Sequence, residues 1–193
     1  MAGDDRELDR TGNLLGALSL AVTDRMSAAA GAAAGQSDSA AVALSALHHF
    51  LDDPSVDLLR QVLGLTPSGT VRLIDRLRDA GYVTRRPGRD ARSVSIRLSA
   101  SGRRAAERVS TARAEVLHDA LTTLAPAERR ALEELLSRVI VGLIRGPGAT
   151  PWMCRLCDTA TCRGAPGGCP VTNAARERYG SHGPPTSTSR ARR

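Results

Sequence analysis

The chain has 193 residues, enough for one domain of ordinary size with a small appendage. Its formal charge is +7, with a sequence pI near 10.4 and all 27 basic side chains arginine, so a polyanion is the natural partner. Aromatic residues make up only 2%, which argues against single-strand binding by base stacking, and no apolar run is long enough for a membrane span or a signal core. A cytoplasmic protein with no membrane partner is expected.

In chain order, residues 1–6 are polar. Leu8, Leu15, Leu18, Val22 and Met26 then fall at helical spacing over residues 7–30, a stripe suited to core or dimer packing. Gly31 to Gly35 reads as an alanine-glycine break. Ser37 or Ser39 can cap a second helix reaching about Leu51, with Val42, Leu44, Leu47, Phe50 and Leu51 apolar. Pro54 stops it, because the residue before proline avoids helix. His48 and His49 are adjacent and so point about 100° apart. They cannot form an i, i+4 metal pair; the plainer expectation is that one faces solvent and the other packs.

Residues 55–101 are the unit around which the rest is organised. A short helix carries Val56, Leu59, Val62 and Leu63 on one face. Gly64-Leu65-Thr66 is a turn, and two short helices joined by a glycine turn are the signature of a helix-turn-helix. Thr66 can cap the second helix with its hydroxyl, and Pro67 stands where a helix tolerates proline. That helix runs over residues 67–80, with Thr70, Leu73, Ile74 and Leu77 inward and Ser68, Arg72 and Arg76 outward. Gly81 ends it. Val94, Ile96 and Leu98 alternate with polar residues as in a half-buried strand, and Tyr82-Val83 begins its partner. Pro87-Gly88-Arg89-Asp90 is the turn between them. Seven arginines and one aspartate lie between positions 85 and 104. A hairpin that basic suits phosphates or a minor groove.

The run IDRLRDAGYVTRRPGRDARSVSIRLSASG resembles the second helix and wing of the MarR family of bacterial winged helix-turn-helix regulators. Ser68, Arg72, Leu73, Asp75, Arg76, Leu77, Gly81, Tyr82, Val83, Arg85, Asp90, Arg92, Ile96, Leu98 and Gly102 match that pattern. Val71 stands where threonine is common and can meet only a thymine methyl; Ser99 replaces a usual threonine. The similarity covers about residues 40–145 and is absent after about 148. It implies a family effector pocket between the dimerisation helices and the DNA-binding lobe, so a small-molecule effector joins the candidate partners, and the helix carrying the two histidines is a candidate contributor.

After the wing, a long helix from Ser99 or Ser101 to about Leu124 carries Val109, Ala112, Val116, Leu117, Ala120, Leu121 and Leu124. Another, opened by Pro126, carries Leu132, Leu135, Leu136, Val139, Ile140 and Leu143. Helices this apolar, far from the reading unit, call for a second subunit. All four cysteines follow within one short window, as C-x2-C-x4-C-x6-C: Cys154, Cys157, Cys162 and Cys169. A cytoplasmic chain rarely keeps static disulfides, so four thiolates on zinc is the default reading, with an iron-sulfur cluster or a thiol redox switch as alternatives. Asn173 to Tyr179 reads as a short helix, and residues 181–193 as a disordered basic tail.

The expected fold is thus mainly α with a small β-hairpin (α+β): a winged helix-turn-helix over residues 55–101 within a 1–146 domain, with dimerisation helices at 7–30 and 101–145. A cysteine-rich metal-binding appendage over 147–180 follows. The expected function is a dimeric, sequence-specific regulator of transcription, a repressor on palindromic double-stranded DNA. The alternative is a metal or redox sensor signalling through the cysteines. Thr66, Pro67, Ser68, Gly69, Val71, Arg72 and Arg76 are the candidate DNA contacts on the second helix, and Arg85, Arg86, Arg89, Asp90 and Arg92 those on the wing. Asp90 repels phosphate, so its expected task is to orient an arginine. No nucleophile-base pair, phosphate loop or apolar carboxylate pair points to an enzyme.

Overall fold

The computed structural model describes residues 2–88, 94–146, 149–164 and 167–180. Its elements are α1 (Ala2–Ala34), α2 (Asp38–His49), α3 (Val56–Leu63), α4 (Pro67–Asp79), β1 (Val83–Pro87), β2 (Val94–Leu98), α5 (Ala100–Leu121), α6 (Pro126–Gly142), α7 (Ala149–Met153), α8 (Thr159–Gly164) and α9 (Pro170–Tyr179). The fold is mainly helical with one antiparallel hairpin, a winged helix-turn-helix between long helices.

The main core lies where α2, α3, α4, the hairpin and the first half of α5 meet. Leu44, Leu59, Leu73, Ile74, Leu77, Val83, Ile96 and Val109 are fully or almost fully buried there. Alanines 40, 41, 43, 46, 105 and 106 are buried too, so α2 and α5 approach closely with little side chain between them. The end of α1 is fixed to this core by the Tyr82 hydroxyl, which donates to the Ala34 carbonyl at 3.2 Å, and by Arg108 Nε, which donates to the Ala33 carbonyl at 3.0 Å.

Several local expectations need correction. The first helix does not break at Gly31; it continues to Ala34, and Gly35, at φ +62°, is the left-handed stop. Helix α2 ends at His49 rather than Leu51. In β2, Val94 is exposed while Ser95 is buried, because the chain at Ser55 pairs with Ser95 from the far side and the Pro54 carbonyl accepts the Ile96 N–H at 2.9 Å. The hairpin thus gains a bridging third segment. The helix expected at 173–179 begins earlier, at Pro170.

The stripes on the long helices are only partly used within one chain. On α1, Leu8, Leu15 and Leu18 are exposed and Val22 and Met26 half-buried. On α5 only Val109 of the expected stripe is buried, and α6 buries no residue at all. Glu128 accepts the Ala125 N–H at 2.7 Å, so α6 is capped from inside although position 125 lacks a hydroxyl. Its C-terminal end joins a second, small core: Ile140, Val141 and Ile144 pack with Met153, Cys154, Cys169, Val171 and Ala174. Among the described residues no helix is long and apolar enough to cross a membrane.

Candidate nucleic-acid interface

The Ser55 hydroxyl accepts the Leu58 N–H at 3.1 Å and opens α3. Gly64 closes it at φ +65°, a conformation that side-chain-bearing residues rarely adopt, and the chain turns into α4. There the Thr66 hydroxyl accepts the Gly69 N–H at 3.1 Å, with Pro67 in the first turn. Thr70, Leu73, Ile74 and Leu77 anchor α4 from behind. Hydrophobic burial on that face fixes the rotation of the helix, so Ser68, Val71, Arg72 and Arg76 project outward, all four exposed. Arg72 leans back on Ser68, at 3.4 Å to its carbonyl and 3.5 Å to its hydroxyl. The Arg76 side chain makes no hydrogen bond or ion pair with another described residue.

The wing is set against this helix by charge. Asp75 receives Arg85 from β1 at 3.0 Å and Arg78 from its own helix at 3.0 Å. Surface ion pairs add little stability, but two pairs on one carboxylate fix where the strand lies. On the outer edge, Arg97 of β2 forms a forked pair with Asp53. Asp53 adopts φ +45°, the one left-handed non-glycine among the described residues. Asp53 and Asp75 are the acids that hold wing arginines among the described residues; sequence reasoning missed both in this role, although Asp75 belongs to the family-like run. Arg86 is exposed on β1. Arg89, Asp90 and Arg92 lie outside the described residues.

The base of the wing is locked by serines. Ser99 Oγ accepts the Gly102 N–H at 3.0 Å and donates to the Gly81 carbonyl at 2.6 Å, and Ser101 Oγ donates to the same carbonyl at 2.7 Å. Serine at 99 therefore supplies the hydroxyl that caps α5.

The candidate surface is thus a capped helix with an outward polar and arginine face, flanked by an arginine-bearing hairpin. A profile described as the MarR family matches residues 35–93, which span α2 to the wing turn. Over its winged helix-turn-helix core the chain is thus similar to the MarR family. Among solved structures, YusO of Bacillus subtilis is similar at 19% identity, with 70% of this chain and 96% of that one covered and a TM-score of 0.58. The MarR family protein Rv2887 of Mycobacterium tuberculosis, in complex with p-aminosalicylic acid, is 25% identical over 66% of this chain and 96% of its own, with a TM-score of 0.53. A MepR variant of S. aureus bound to an oligodeoxyribonucleotide is 17% identical over 69% of this chain and 98% of its own, at 0.52. No curated protein sequence matches the chain. The protein PA3341, described as a transcriptional regulator, is similar at 24% identity over 69% of this chain and 97% of its own, with a TM-score of 0.53. Each of these neighbours is covered almost whole, yet each leaves about a third of this chain without a counterpart.

The four cysteines are gathered by α7, α8 and α9. All are free thiols and half-buried. Cys154 is within hydrogen-bonding reach of Cys157 and Cys169, and Cys162 of Cys169. Sharing of the Cys154 proton draws the Cys157 thiol down to about 7 and the Cys169 thiol to about 5; Cys169 also accepts from the first turn of α9. The same bonds push Cys154 up, and burial pushes Cys162 up. Among the described residues no three His, Cys, Asp or Glu side chains already stand as a ready metal site. Of the two histidines, His49 packs: its Nε2 lies 2.8 Å from Ser110 Oγ, and its ring is edge-on to His48.

Proposed function

We propose that this protein is a dimeric, sequence-specific DNA-binding regulator, a repressor that occupies a palindromic site with two copies of α4. The observation that carries this reading is the geometry of α4: its apolar face is fully buried, its N-terminus is capped, and its outer face carries Arg72 and Arg76 beside the wing. An α-helix so mounted fits a major groove, where arginine pairs with guanine through two hydrogen bonds. Arg86, with Arg89 and Arg92 in the wing turn, is placed by sequence near phosphates. Arg85 is held by Asp75, so its share is to position the wing. Occupation of a promoter by such a dimer excludes other proteins, which is repression in its simplest form.

The dimer is supported by the apolar side chains left on one chain's surface: Leu8, Leu14, Leu15, Leu18 and Leu20 on α1, Leu121 on α5, and Leu135, Leu136, Val139 and Leu143 on or just after α6. A monomer exposing them all would carry an unusually large apolar surface. A small-molecule effector belongs to the same reading, by analogy with the salicylate-type complexes of Rv2887.

Selection of duplexes from a random pool tests the proposal. Enrichment of an inverted repeat with half-sites about 10 base pairs apart is expected. Arg72→Ala should then cost about 1–3 kcal/mol on the selected duplex and relax one position per half-site. No enriched sequence, or unchanged affinity in both Arg72→Ala and Arg76→Ala, overturns the assignment of α4 as the reading helix.

A further inference from the structure

The cysteine segment does not hang free of the DNA-binding lobe. Helix α7 packs on α3, and Trp152 Nε1 comes to the turn at Gly64, 3.9 Å from where a side chain there would begin. On the other side, Thr159 Oγ1 donates to the His49 carbonyl at 3.0 Å, and His49 Nδ1 lies 3.8 Å from Asp158. Two cations act on the thiols of this segment. Arg113 of α5 acts electrostatically on Cys157 and Cys162, and Arg155, stacked on Trp152 at 4.8 Å, acts on Cys157. Among the described residues the buried Arg113 Nε has no hydrogen-bond acceptor.

We propose that Cys154, Cys157, Cys162 and Cys169 bind one zinc ion as a tetrathiolate, and that the ligated segment braces the turn between α3 and α4. Four sulfur donors within sixteen residues are the donor set zinc prefers for a structural site. Ligation releases the thiol protons to solvent and replaces the S–H chain that now joins the sulfurs. A zinc ion with four thiolates carries a charge of −2, which Arg113 and Arg155 offset. The small core of Ile144, Val171 and Ala174 is too slight to order three short helices unaided, so the metal supplies what apolar burial does not. Because Trp152 precedes the first ligand by two residues and Thr159 follows the second by two, whatever fixes the sulfurs also fixes both anchor points. The consequence for DNA rests on the reading of α4 given above; the site and the brace do not.

Metal content and hydrogen exchange on the full chain test both parts without DNA. The protein, purified anaerobically, should be colourless with one zinc per chain, and Cys157→Ser should lose it. Zinc-free protein with four titratable thiols, or a brown protein containing iron and sulfide, overturns the zinc site. Amides of residues 63–66 should exchange about tenfold more slowly with zinc than after chelation, as expected when a local opening is suppressed. Trp152→Ala should keep the zinc and lose that protection. Equal exchange with and without zinc overturns the brace. Retained far-ultraviolet circular dichroism in each variant separates these outcomes from unfolding, and the duplex selection separates them from failure of the regulator reading.

Discussion

Gly102 shows how a single residue decides the junction between wing and α5. A Cβ built there would lie 2.0 Å from the Tyr82 carbonyl oxygen and 2.9 Å from its carbon. Both are backbone atoms, and the same carbonyl already accepts the Ser99 N–H at 2.9 Å, so the strand has little room to retreat. Gly102→Ala should therefore destabilise by about 1–3 kcal/mol through overpacking. A thermal melt should show a loss of about 2–4 °C for each kcal/mol in a chain of this size. An unchanged melting temperature would mean that the wing and α5 separate more easily than their serine contacts suggest. Ser99 is the companion case, since here a departure from the family's usual threonine leaves the hydroxyl and its two hydrogen bonds in place.

The helix-turn-helix depends as an element on its caps. Helix α4 has 13 residues, too few to be stable alone, and in the proposed reading its first turn lies nearest a base edge. Thr66→Ala removes the acceptor of the Gly69 N–H and should cost about 1 kcal/mol. The same change should weaken specific DNA binding more than nonspecific binding, because fraying moves Ser68 and Arg72 but not the wing; titration at two salt concentrations reads this directly. The wing is held differently. Asp75 and Asp53 grip one arginine on each strand, so its position relies on charge as well as on Val83, Ile96 and Leu98.

Across the whole molecule, the winged core is closed on itself while the outer helices are not. Leu136 is 46% exposed in the single chain, so a charge there costs the monomer fold little. Leu136→Asp should leave the circular dichroism and the core melt close to those of the parent but shift light scattering from dimer to monomer at micromolar concentration, since a charge buried at a subunit contact is strongly unfavourable. A parent protein that is already monomeric at that concentration would refute the dimer.

Taken alone, the amino-acid sequence determined the winged helix-turn-helix: the capping residues, the glycine turn, the period of α4 and the alternation of the hairpin are local signals, and each is written within a few neighbouring residues. It also determined which faces are apolar, and it put all four cysteines in one window. What only the tertiary structure decided was which apolar faces one chain covers, because α1, α5 and α6 carry similar stripes and packing selects among them. It decided too that Gly31 lies inside a helix, that Ser95 rather than Val94 is buried, and that Asp75 and Asp53 hold the wing, all outcomes of contacts with chain distant in sequence. The cysteine window carried no local sign that Trp152 would meet Gly64, or that Arg113, 41 positions before Cys154, would face the thiols. Long-range approach of this kind follows from burial and charge balance across the whole fold, which no local pattern encodes.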